Sequence, residues 1–515
     1  MSTDRAFIGA ALALILPVSA MAEEPLSAID WLSRTVQTPQ QNPRATPPAD
    51  EKPVATGAAP AEIITTTIGG PNPDAIGILP IETTGLPRNL WGTSASEDLA
   101  RLIRAERIDT LPAIQALLYS ILLAELDPPA DSDGRGLVYL ARIDRLLDLG
   151  ALEPALSMLE GPALQAPEPF RRWFDVALLT GQEDRACEAM RETPEIAPTF
   201  PARVFCLARG GDWNAAALSL RTGEALGYVT PEMAELLARF LDPELFEGEP
   251  PLPIPSRPSP LVLRLMEAIG EPMSTTTLPV AFAQSDLRNN AGWKTRLEAG
   301  ERLARTGAID PNRLLGLYTE RQAAASGGVW DRVEAIQRFD TAMSTGDPNA
   351  VALSLPEVWR QMERTELEVP FATIYGAALQ DLSLSGAASA LAFRIGLLSP
   401  DYESVARERD SLGGIEPFLI GTARGNLDGI APPDPIAGAI KAAFLSSARL
   451  TESYASLVSE NRVGEAILTA IGDITDGARG DLRDVTAGLY LLRHLGLEAI
   501  ARRASLELML LERRG

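Results

Sequence analysis

Two cysteines, Cys187 and Cys206, and a single histidine, His494, bound the chemistry open to this 515-residue chain. His494 closes the apolar run Leu489-Tyr490-Leu491-Leu492-Arg493 at a predicted helix end, where a cation complements the helix dipole. One histidine supplies neither a histidine-dependent triad nor a histidine-rich zinc site. The cysteines fall on neighbouring predicted helices. In an oxidising compartment such a pair forms a disulfide, which removes both thiols as nucleophiles and stabilises by roughly 3 kcal/mol for so short a loop. Two ligands do not make a metal site, so no metal and no cofactor are expected.

Carboxylates are the remaining route to catalysis, since glycoside cleavage needs only two. Glu452-Ser453-Tyr454 resembles the Glu-Ser of the catalytic helix in soluble lytic transglycosylases, which join an α-superhelical domain to a lysozyme-like one. The Gly-Leu-Met-Gln block that belongs downstream is absent, and Glu452 reads as a solvent-facing helix residue. The glycines of residues 421–429 lack the Gly-Lys-Ser/Thr that holds phosphate, and no G-x-S-x-G elbow occurs. The turn from Asp127 to Gly134 has calcium-loop acids, but Leu140 stands where a bidentate Glu is needed. Asp131 and Asp133 are expected instead to cap the helix that begins near Arg135.

A net charge of −23 disfavours nucleic acid and anionic lipid surfaces. Residues 6–18 form an apolar run behind Arg5, too short for the roughly 20 residues of a membrane span. Ser19-Ala20-Met21-Ala22 then supplies a signal-peptidase site. The expectation is export, with cleavage after Ala22, to a bacterial periplasm or beyond it, and no integral membrane segment thereafter.

The elements that position these residues are helices. Apolar helical runs break at Gly150, Gly181, Gly210, Gly307, Gly346 and Gly496, and each resumes as a second amphipathic run. Glycine there supplies the left-handed conformation that ends a helix. The pattern predicts an all-α chain, an α-solenoid of antiparallel helical hairpins similar in general character to tetratricopeptide and Sel1 repeats, with no fixed period of 34 or 36. Trp173, Trp213, Trp293, Trp330 and Trp359 sit in or beside predicted helices as core packing. Arg171-Arg172 reads as a solvated helix start.

The expected organisation runs in order: a signal peptide (1–22), a Pro/Ala-rich tail unable to bury a core (23–61), and a short β-hairpin-like segment (62–92). A first helical lobe (93–248), a Pro-rich connector (249–260) and a second lobe (261–515) follow, the last with an irregular loop at 413–435. Within the tail, Leu26-Ser27-Ala28-Ile29-Asp30-Trp31-Leu32 is an amphipathic patch. Its Ile29, Trp31 and Leu32 either form a docking element for a protein partner or pack on the chain's own C-terminal body. Taken together, these features predict a non-catalytic scaffold or adaptor for protein partners in an envelope-associated motility, secretion or cell-wall machine. The alternative is a carboxylate-dependent enzyme cleaving peptidoglycan or another polysaccharide.

Overall fold

The computed structural model describes residues 72–160, 166–323, 325–411 and 413–511. Among these it contains twenty-five α-helices and a few 3-10 turns, and no strand. No described helix is long and apolar enough to cross a membrane. The signal sequence, the tail with Ile29, Trp31 and Leu32, and residues 62–68 lie outside the described residues.

Helix starts follow a repeated device, a polar cap before proline. Thr230, Ser259, Asp310, Asp347 and Asp434 each accept a backbone N–H of the first turn, and Pro231, Pro260, Pro311, Pro348 and Pro435 follow. The cap satisfies an orphan donor, and proline has none to lose at that position. One start is capped from elsewhere in the chain. Ala95 precedes the Ser96–Ala105 helix and offers no side-chain oxygen. The Asp131 carboxylate instead accepts from Ser96 N (3.0 Å) and Ser96 Oγ (2.6 Å). Neither expected cap serves the following helix, which begins at Leu137 behind left-handed Gly136 with no side-chain cap; Asp133 accepts instead from Arg135 N in the turn before it (3.0 Å).

Consecutive helices pack as hairpins. Glu183–Glu192 lies on Phe200–Arg209, which lies on Trp213–Ala225, and Val329–Thr345 lies on Pro348–Thr365. In the hairpin turn after Arg209, the left-handed residue is Gly211 (φ 84°), whereas Gly210 is ordinary right-handed backbone (φ −75°). The expected position was off by one residue, because either glycine can close the turn.

Residues 74–80 do not form a strand. Pro73–Ala75 is a 3-10 turn, and Leu79 makes one isolated parallel bridge to Ala124. Ile78 and Leu79 donate to Leu123 O (both 2.9 Å), so this backbone satisfies itself on a helix end. Within 413–435, Glu416–Arg424 is a helix, with Pro417 in its first turn and Gly425 left-handed at its end.

The two ends of the described chain meet. Ser96–Ala105 packs on Val463–Gly477, and Pro112–Leu123 on Glu498–Leu510. Polar bonds stitch this seam: Gly464 N to Leu90 O (2.8 Å), Ala113 N to Glu507 Oε2 (2.8 Å), and Thr110 Oγ1 with Thr475 Oγ1 (2.6 Å). Trp91 is fully buried there. The largest apolar cluster accordingly joins residues 86–282 to residues 418–504, while a second cluster occupies 283–398 with Leu511.

Candidate binding surface

Cys187 and Cys206 are joined in a disulfide that staples Glu183–Glu192 to Phe200–Arg209. The staple forms one wall of a pocket of about 310 Å³. Met190, Pro194 and Leu207 add apolar surface, and Arg191, Arg203, Gly210 and Asp212 complete the lining. Both sulfurs arrive on buried helix faces, because Ala186 and Met190 on one helix and Ala202 and Phe205 on the other turn inward with them. Neither Arg191 nor Arg203 has a carboxylate partner among the described residues, and Arg203 donates only to Pro194 O (3.4 Å). Asp212 spends its carboxylate as the cap of the next helix, accepting from Ala215 N (3.1 Å).

That next helix, Trp213–Ala225, is thinly packed. It buries only Ala216, Leu220 and Gly223. Gly223 is required because a Cβ would meet Phe200 and Val229 at 2.8 Å. Six large apolar side chains among the described residues are at least half exposed: Trp213, Leu218, Leu226, Leu245, Ile254 and Leu353. Five of the six lie in residues 213–254, directly after the disulfide hairpin. Single exposed apolar residues are ordinary; five within about forty residues are a concentration that makes this stretch a candidate binding surface. Trp213 is held at this edge by Phe240, with ring centroids 6.4 Å apart. The Pro-rich stretch is pinned behind it by Arg239, which donates to Pro250 O (2.8 Å) and pairs with Glu235, Glu249 and Glu271.

A second, polar cleft of about 480 Å³ is lined by Glu267, Thr275, Asp286, Arg288, Asn290 and Glu298, among others. Burial raises the Asp286 carboxyl above its usual range, although Thr275 donates a hydrogen bond that opposes the shift. Burial also works against charge on Glu267. There the bond from Arg288, the charges of Arg264 and Arg288, and the bond from Asn290 win, and hold it below the usual range. Acids pushed apart in one cleft are the arrangement that acid–base chemistry needs. Glu267, however, accepts from Arg264, Arg288 (2.8 Å) and Asn290 (2.7 Å), which leaves it engaged as a structural anion. No aromatic ring lines the cleft to stack on a sugar.

Other residues singled out in the sequence are dispersed. His494 is the exposed last residue of its helix, and Glu452 is exposed in a first turn. Trp173 and Trp359 are buried, and Trp293 and Trp330 pack together with centroids 5.0 Å apart. Arg171 and Arg172 are not solvated. Both are buried, and Arg172 makes a two-bond pair with Asp144 (2.5 and 3.0 Å) plus a bond to Glu168 (2.8 Å). No group of three or more His, Cys, Asp or Glu among the described residues is placed to hold a metal ion. The pocket residues Met190, Pro194, Arg203 and Leu207 escape sequence reading, since only the fold brings them beside the disulfide. Leu218 and Leu226, apolar among Ala, Ser, Arg and Thr, were the available signal for the exposed helix.

Compared with known proteins, the chain matches no family model, no curated protein and no solved structure.

Proposed function

We propose that this protein is a non-catalytic scaffold or adaptor of the bacterial periplasm, built of tetratricopeptide- or Sel1-like helical hairpins, which docks a protein partner of an envelope-associated machine. The exposure of Trp213, Leu218, Leu226, Leu245 and Ile254 within the one stretch of chain that follows the pocket-lining hairpin is the observation that carries this reading. Apolar side chains of this size gain by being covered, at about 25 cal/mol per Å² removed from water. The disulfide beside them suits an oxidising compartment. The motility, secretion and cell-wall machines of the envelope are the class of partner that compartment offers. The test is affinity capture from an envelope fraction with the full chain and with Leu218→Asp/Leu245→Asp. The reading expects partners to be lost from the variant while its melting temperature holds. Unchanged capture overturns it.

A second reading rests on the opposite shifts of Asp286 and Glu267 in the polar cleft: a carboxylate-dependent enzyme acting on peptidoglycan or another polysaccharide. Glycan-chain cleavage by the purified chain, abolished by Asp286→Asn, is what that reading requires.

A further inference from the structure

We infer that residues 26–32 of this same chain dock into the pocket beside the Cys187–Cys206 disulfide, with Ile29, Trp31 and Leu32 against its apolar wall and Asp30 at its arginine rim. The inference rests on reading this face as a docking surface, and adds that the free protein covers part of that face itself.

Three observations select this occupant. The first is chemical fit. The pocket is lined by the sulfur-bearing residues Cys187, Cys206 and Met190 together with Pro194 and Leu207. Sulfur beside an aromatic ring is a favourable contact, and an indole supplies more apolar surface than any other side chain. The segment carries one tryptophan flanked by Asp30 and Leu32.

The second is charge. A chain of net charge −23 repels an acidic segment over most of its surface. Arg191 and Arg203 lack carboxylate partners among the described residues, and both stand at this pocket. A carboxylate arriving between them gains the charge-assisted bonds that the fold itself leaves unmade. Two further cavities are lined mainly by charged and hydroxyl groups, such as Glu267, Asp286 and Arg288 in one, and Asp109, Arg302, Arg305 and Glu366 in the other.

The third is reach. Asn72, the first described residue, is fixed by a bond from its amide to Ser132 Oγ (2.9 Å). The residues between Leu32 and Asn72 span up to ~130 Å when extended. A compact chain of this length has a radius of gyration of about 24 Å, so the tether does not limit the contact.

The experiment uses the full exported chain with photoreactive benzoylphenylalanine at Ala28, which leaves Ile29, Asp30, Trp31 and Leu32 in place. After irradiation and digestion, adducts are mapped by mass spectrometry. The inference expects intrachain adducts on peptides from residues 187–212, at a yield independent of protein concentration. It expects that yield to fall about tenfold in Trp31→Ser and in Arg203→Glu, the scale of losing one buried anchor. Adducts elsewhere in the chain, or only between copies as concentration rises, overturn it. The two ideas separate cleanly. If Ala28 never reaches the pocket while Leu218→Asp still abolishes partner capture, the tail inference falls and the docking surface stands. If the pocket adducts form while Leu218→Asp changes nothing, the tail inference holds and the partner reading falls.

Discussion

The disulfide hairpin with its following helix, and the seam where residues 90–113 meet residues 460–507, are made of the same short amphipathic helices and handle apolar surface in opposite ways. At the seam, Trp91 is fully covered, and Gly464 lies so close that a Cβ would sit 2.6 Å from the Trp91 ring. On the helix after the disulfide hairpin, Trp213 and Leu218 stay exposed, while the hairpin itself is buried at its interface and linked covalently as well. The contrast is one of cover: the seam hides its large apolar groups, while the stretch after the disulfide leaves five of them exposed.

The seam side also carries buried ionisable groups. Glu106, at the end of Ser96–Ala105, is buried with Oε2 lacking any hydrogen-bond partner. Burial pushes its carboxyl up to about 8; Arg145 opposes this, while Asp476 and Asp473 on the facing helix add to it. Close by, Asp144 accepts both bonds of Arg172 and lies 3.8 Å from Arg104.

The sharpest way to break the comparison is therefore Asp144→Ala, which strands Arg172 in the interior with Glu168 alone. Removing one member of a buried pair costs about 4 kcal/mol, so chemical denaturation should show a large loss of stability with the disulfide intact. Cys187→Ser with Cys206→Ser should cost about 3 kcal/mol by chain entropy. Hydrogen exchange should place that loss in residues 183–225 and leave the seam protected. Equal loosening of both regions would mean that the staple serves the whole molecule.

The seam should also respond to pH. Folded Glu106 keeps its proton up to about 8, whereas an unfolded Glu releases it near 4.5. The native state thus binds the extra proton between these values, and stability falls as pH rises through that window, by about 1.4 kcal/mol per unit for one group. Asp148, pushed by burial to about 6, and Asp473, raised by burial, act in the same direction at lower pH. Glu106→Gln should flatten the upper part of this slope in denaturation curves collected from pH 6 to 8. The smallest effect belongs to the hairpin turn. Gly211→Val forces a left-handed φ on a β-branched residue and should cost about 1–2 kcal/mol. Gly210→Ala, at right-handed backbone with 3.3 Å of clearance, should cost less than half of that.

How far the sequence could be read follows the range of the forces involved. Helix type, the glycine-ended hairpins and the cysteine pair are local or nearly so, and all three are legible. The Arg171-Arg172 pair was not, because the anion that draws Arg172 inside, Asp144, lies on another helix 28 residues away. Asp131 was assigned to the nearest helix and caps one that starts 35 residues earlier. The seam between residues 90–113 and 460–507 has no periodic signature at all, since its bonds join residues 365 or more apart in sequence. The pocket was half legible: the sulfurs were visible, and the apolar and cationic residues gathered around them were not.

Residues 187–254 are the proposed partner-binding region. Photoreactive benzoylphenylalanine placed at Leu218 or at Leu353, two exposed leucines on separate helices, tests it directly in intact cells. The account predicts a discrete protein adduct from position 218, lost when Leu245→Asp is added, and none from position 353. The same adducts from both positions, or an adduct from 353 alone, would contradict it.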